Sequence, residues 1–100
     1  MGAVKHIALI KFKASANSAL VDELWNEIKR LPSLVPGIAD FAGGLNNSPE
    51  GLNQGMTHGF VMTFKDAAAR DAYLPHPEHE RVKAKVLPHV ESVLVFDFEV

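Results

Sequence analysis

Between residues 4 and 13 the chain alternates, with Val4, His6, Ala8, Ile10 and Phe12 on one side and Lys5, Ile7, Leu9, Lys11 and Lys13 on the other. A period of two over that length predicts a strand. The period then changes. Leu20, Leu24, Ile28 and Leu31 recur at helical spacing with Trp25 beside them, which predicts a helix running to about residue 34. Ser15 or Ser18 is the expected cap, with Asp22 and Glu23 in the first turn. Pro36-Gly37 stops the helix. Residues 38–45 return to alternation, Ile38, Asp40 and Ala42 opposing Ala39, Phe41 and Gly43, and predict a second, weaker strand. Residues 46–55 are almost free of apolar side chains and rich in turn formers, the mark of a long surface loop that covers a site or meets a partner. A third strand follows over 56–64, with Met56, His58, Phe60, Met62 and Phe64 facing one way. Asp66 caps a short alanine-rich helix ending before Pro75, and residues 77–88 predict another helical piece. Residues 92–100 close the pattern as a strand, Val93, Val95, Asp97 and Glu99 set against Leu94, Phe96, Phe98 and Val100.

The order β-α-β-β-α-α-β contains the ferredoxin-like arrangement: an α+β fold with a four-stranded antiparallel sheet and its helices on one face. The first and last strands carry apolar residues on both faces, so the uncovered sheet face would expose more apolar surface than a soluble monomer tolerates. A homodimer pairing sheet against sheet hides it. At 100 residues the chain predicts one domain spanning 1–100, small enough for self-association to help it. The composition, 47% hydrophobic and 22% charged, excludes disorder, collagen-like repetition and coiled coil. Net charge is −2 and the basic residues are scattered, so no stripe exists to neutralise a nucleic-acid backbone. The absence of cysteine removes disulfides, thiolate metal sites and a cysteine nucleophile, and fits a cytoplasmic setting. No signal-like start and no apolar run near the ~18 residues of a membrane span are found, so no membrane partner is expected.

Candidate chemistry concentrates in Asp71-Ala72-Tyr73-Leu74-Pro75-His76-Pro77-Glu78-His79, with His6 and His58 in apolar runs elsewhere. Imidazoles near neutral pKa beside a phenol can move protons at pH 7. Each also has a plainer reading. Tyr73 and His79 could satisfy backbone groups at a helix junction, His76 could bond a backbone carbonyl, and His6 and His58 could be core histidines. Leu24, Trp25 and Ile28 read as core, or as lining of a pocket between helix and sheet. His76 and His79 with Glu78 and His6 are ligand types for zinc or iron, but no helical His-Glu-x-x-His occurs, and no metal is expected. His89 is expected in solvent. Lys29, Arg30, Arg70, Arg81, Lys83 and Lys85 read as solvated surface, one of which could hold a carboxylate.

Taken together, several segments resemble the stress-responsive dimeric A/B barrel (Dabb) family. They are Val4-Lys5-His6-Ile7 followed by Lys11-Phe12-Lys13, Leu34-Val35-Pro36-Gly37-Ile38, Thr57-His58, Tyr73 with His76-Pro77-Glu78-His79, and Val95-Phe96-Asp97-Phe98. The resemblance covers the whole chain and implies ferredoxin-like protomers joined through their sheets into a dimeric α/β barrel. A plant polyketide cyclase of the family closes a linear chain by aldol condensation without metal or cofactor. Similarity to it implies that His79 is a general base, that Tyr73 holds the polarised carbonyl, and that His6 and His58 line the pocket. Ile28 stands where that enzyme has a tyrosine, which implies a different substrate. The expectation is a cofactor-independent cyclase or lyase working through an enolate on a small carbonyl compound. Its pocket would be bordered by His6, His58, Leu24 and Ile28 and closed by loop 46–55. Two alternatives stand beside it: a non-catalytic stress-response dimer and, on shared architecture alone, a monooxygenase-like enzyme.

Overall fold

The computed structural model describes residues 2–100. Its elements run β1 (Val4–Phe12), α1 (Ser18–Leu34), β2 (Ile38–Leu45), β3 (His58–Phe64), α2 (Ala67–Tyr73), α3 (Pro77–Val86), a single 3-10 turn (Leu87–His89) and β4 (Val90–Glu99). The strands form one antiparallel sheet in the order β2-β3-β1-β4, a ferredoxin-like arrangement. Among the described residues no helix is long and apolar enough to cross a membrane.

Helix α1 starts one residue after Asn17, whose side chain accepts from the Leu20 N–H at 2.8 Å. Asn17 therefore caps the helix where Ser15 or Ser18 was expected, and Asp22 and Glu23 fall beyond the first turn. The helix buries Leu24, Glu27, Ile28 and Leu31, a spacing of three and four that faces the sheet. Full burial of a leucine such as Leu24 contributes about 1.5–3 kcal/mol. Glu27 is a charge inside this stripe, and Arg81 of α3 reaches it at 2.7 Å while Arg30 holds its other oxygen at 3.0 Å. That pairing ties α1 to α3 and holds the Glu27 carboxyl below its ordinary range, chiefly through the Arg81 hydrogen bond. Helix α2 is capped as expected by Asp66, whose carboxylate accepts from the Ala69 N–H at 2.8 Å.

The sheet's two faces differ. Val4, His6, Ala8 and Ile10 of β1 turn toward the helices and are buried with Phe60, Met62 and Phe64 of β3. On strand β2 simple alternation fails, because the register with β3 shifts between Ile38 and Asp40. The extra residue, Ala39, puts Ile38 and Phe41 on the same, helix-covered side. The opposite face has no cover among the described residues: Ile7, Leu9 and Val61 lie there with Leu94, Phe96 and Phe98 of β4, Phe96 being 60% exposed. Strand β4 lies at the sheet edge, and its helix-side residues Val93 and Val95 are also exposed. Its pairing with β1 brings the two ends of the described chain side by side, the Val100 N–H donating to the Ala3 carbonyl at 2.8 Å.

Candidate functional site

Helix α2 ends at Tyr73, and Pro77 sits at the first turn of α3, so the intervening residues make a tight corner over β1. His76 caps α3, its Nδ1 accepting from the Glu78 N–H at 3.1 Å. The bond goes to a backbone N–H and not to a carbonyl, and it spends that nitrogen on structure. The same corner turns His79 back over Tyr73, with ring centroids 4.0 Å apart and planes 24° from parallel. His79 Nδ1 lies 2.9 Å from the Leu74 carbonyl. A carbonyl only accepts, so Nδ1 carries the hydrogen and, in the neutral ring, Nε2 holds the lone pair.

Tyr73 is almost wholly buried, at 2% exposure, with Phe64 at 5.1 Å and His6 edge-on at 5.9 Å between ring centroids. No hydrogen bond from a described residue reaches its hydroxyl, yet no fully buried side-chain oxygen or nitrogen lacks a partner. The hydroxyl therefore keeps a trace of accessible surface, and Tyr73 lines the recess beside it. His6 meets the same condition at Nε2, while its Nδ1 lies 2.7 Å from Asp97 Oδ1. Asp97 Oδ2 in turn accepts from Arg70 at 2.8 Å. The chain Arg70–Asp97–His6 fixes the imidazole's orientation and neutralises the carboxylate that does so.

His6, Tyr73 and His79 border a cavity of about 330 Å³ between α1, α3 and the β1–β4 edge. Its wall is otherwise apolar, with Ile28, Phe60, Val82 and Val95 among the lining residues. The only cationic Lys or Arg side chain among its lining residues is Lys83, one turn beyond His79 on α3 and paired with Glu80 at 2.6 Å. Burial dominates the titration of both stacked rings. It lowers His79 below the ordinary imidazole value of 6.5, aided by nearby Lys83, although the Leu74 hydrogen bond opposes the shift. It raises the Tyr73 phenol above its ordinary 10.0. At neutral pH the site thus holds an unprotonated imidazole nitrogen and a protonated phenol at the edge of an apolar cavity, a base beside a hydrogen-bond donor.

The predicted residues divide into two groups. His6, Ile28, Tyr73 and His79 share the cavity. Leu24 is packed in the core at 1% exposure and does not line it. His58 lies outside as well: its ring packs on Trp25 at 5.0 Å and Phe12 at 5.2 Å, with Thr57 Oγ1 at 2.8 Å. It borders a second recess shaped by Leu9, Asn53 and Met56. The loop of residues 46–55 contributes Asn46 and Asn53 to that recess and no residue to the His79 cavity, whose rim is made by Leu74, Leu87 and Val93. Asp97 and Arg70 were not among the expected site residues. The signal for Asp97 was an acid following Val93 and Val95 on one strand face, a signal it shares with Glu99; nothing in the sequence paired it with Arg70.

Comparison with known proteins finds relatives that span nearly the whole chain. The "HS1" stress-response A/B barrel domain-containing protein of Arabidopsis thaliana is 34% identical over 98 residues, covering 98% of this chain and 90% of that protein. Olivetolic acid cyclase of Cannabis sativa is 27% identical over 96 residues, covering 96% of this chain and 95% of that enzyme. A dimeric ferredoxin-like protein of unknown function from Jannaschia sp. superposes with a TM-score of 0.84 at 28% identity, over 99% of this chain and 100% of that one. The family model of the stress responsive A/B barrel domain matches residues 4–100, and the chain belongs to that family.

Proposed function

We propose that the cavity binds a small, largely apolar carbonyl compound and that the protein promotes its reaction through an enolate, without metal or cofactor. His79 Nε2 removes the proton alpha to the carbonyl, and the Tyr73 hydroxyl donates to the oxygen on which charge develops. The observation that carries this reading is the stacked Tyr73–His79 pair with His79 Nδ1–H committed to the Leu74 carbonyl, which leaves the basic nitrogen free at the edge of an apolar cavity. His6, held by Asp97, is a second imidazole able to relay a proton. Similarity to olivetolic acid cyclase supports a ring-closing or carbon–carbon bond reaction. The working unit in this reading is a homodimer joined through the open sheet faces, as the exposed Phe96 and Phe98 and the dimeric Jannaschia neighbour support.

The test is exchange of the alpha protons of a simple phenyl alkyl ketone in deuterium oxide, followed by proton NMR. The wild type should exchange faster than buffer, His79→Ala should lose about a hundredfold or more, and Tyr73→Phe about a hundredfold, with circular dichroism unchanged. Exchange by His79→Ala at the wild-type rate removes His79 as base. A wild type that does not exchange moves the protein to the stress-associated, non-catalytic reading.

A further inference from the structure

The cavity wall is asymmetric in charge. The Asp97 carboxylate behind His6 is outside the lining and already engaged by His6 and Arg70. No Asp or Glu lies among its described lining residues, and Lys83 is their only Lys or Arg. Lys83 stands four residues after His79 on α3, so the two side chains rise from one helix face about 6 Å apart. Its present partner, Glu80, is 56% exposed and Lys83 itself 41%, an ion pair at the water boundary that a competing carboxylate can replace. The other cations of this helix point elsewhere: Arg81 bonds Glu27 and Glu78, and Lys85 pairs with Glu23 and Glu27 across α1.

We infer that the ligand of this cavity is a carbonyl compound that also carries a carboxylate, and that Lys83 is the residue selecting it. The inference rests on the carbonyl reading of the same cavity and adds the ligand's second anchor. With the carbonyl at Tyr73 and His79, a carboxylate displaced by one helical turn, about 5–6 Å, meets the Lys83 ammonium after exchange with Glu80. Such a span corresponds to a short methylene chain between the two groups, and the apolar wall of Ile28, Phe60 and Val82 takes the rest of the molecule. The bound anion also keeps Lys83 neutralised when Glu80 is released. Lys83 is thus a specificity residue and takes no part in proton transfer.

The experiment compares a phenyl ketone bearing a carboxylate at the end of a propyl chain with its primary amide. Both are titrated into the uniformly labelled full chain at mildly alkaline pH and followed by backbone amide shifts of α3 and β1. The acid should bind about tenfold more tightly than the amide. Lys83→Gln should erase that preference by weakening the acid alone, Lys83→Arg should keep it, and Lys85→Gln, which removes the same charge from the other side of the helix, should leave it intact. Equal binding of acid and amide by the wild type, a preference surviving Lys83→Gln, or its loss in Lys85→Gln overturns the assignment. Because binding is the readout, absence of alpha-proton exchange counts against the enolate chemistry and leaves Lys83 standing, whereas equal binding sinks Lys83 and leaves the ketone pocket. If neither compound moves the cavity signals, the pocket reading falls and this inference with it.

Discussion

Burial acts on His79 and Tyr73 in opposite senses, lowering the imidazole and raising the phenol while their rings lie 4.0 Å apart. The exchange rate should therefore rise through an apparent pKa below 6.5 and stay flat through neutrality, because the unprotonated ring is the base. A profile centred above 6.5 would contradict the burial argument. The same depression has a stability consequence. His58 and His79 titrate lower folded than unfolded, chiefly through burial, so the unfolded chain takes up protons first as pH falls below 6.5. Their contribution is complete above 6.5 and is lost as pH falls through the folded values. Glu27 adds a loss that begins below its ordinary 4.5. Melting temperature measured against pH should show a plateau near neutrality, then a decline in those two stages. At this scale Tyr73 and His79 were legible because they are close in sequence. The Asp97 bond to His6 spans 91 residues and exists only through the β1–β4 register, which alternation alone does not supply.

Among the elements, the strands were readable to within a few residues, since period-two patterning matches the sheet wherever the ladder is regular. It misled at Ile38, where one extra residue moves a side chain to the other face. The first helix was legible by its apolar stripe and misread at its start, because Asn17, Ser15 and Ser18 have similar capping chemistry and only the backbone turn selects among them. Gly43 is an element-scale constraint with a measurable cost. A Cβ there would lie 2.9 Å from Phe60 Cβ, 3.0 Å from the Gly59 carbonyl oxygen and 3.1 Å from the Trp25 ring, so β2 and α1 approach as they do only because the position is glycine. Gly43→Ala should destabilise the protein by about 1–3 kcal/mol in urea unfolding. Unchanged stability would mean that the strand shifts freely under Trp25.

For the whole molecule, element order and two-faced apolar strands were enough to read a ferredoxin-like sheet with one apolar face left open. The cavity was less legible: its rim depends on how far α3 stands from β4, and no local pattern encodes that gap. If the open face closes on a second copy, Phe96→Glu places a charge in the middle of it and should give a folded monomer in sedimentation equilibrium where the wild type is a dimer. A monomeric wild type at micromolar concentration would remove the sheet-to-sheet arrangement. The adjacency of Ala3 and Val100 has a different kind of consequence. Val4 pairs with Glu99, so forming the β1–β4 ladder means closing the widest loop available to this chain. A circular permutant, joined across those neighbouring ends and opened within the exposed 48–52 turn, would make that same ladder a local hairpin. The slowest contact to find would become one of the quickest, with refolding accelerated and every wall of the cavity unchanged.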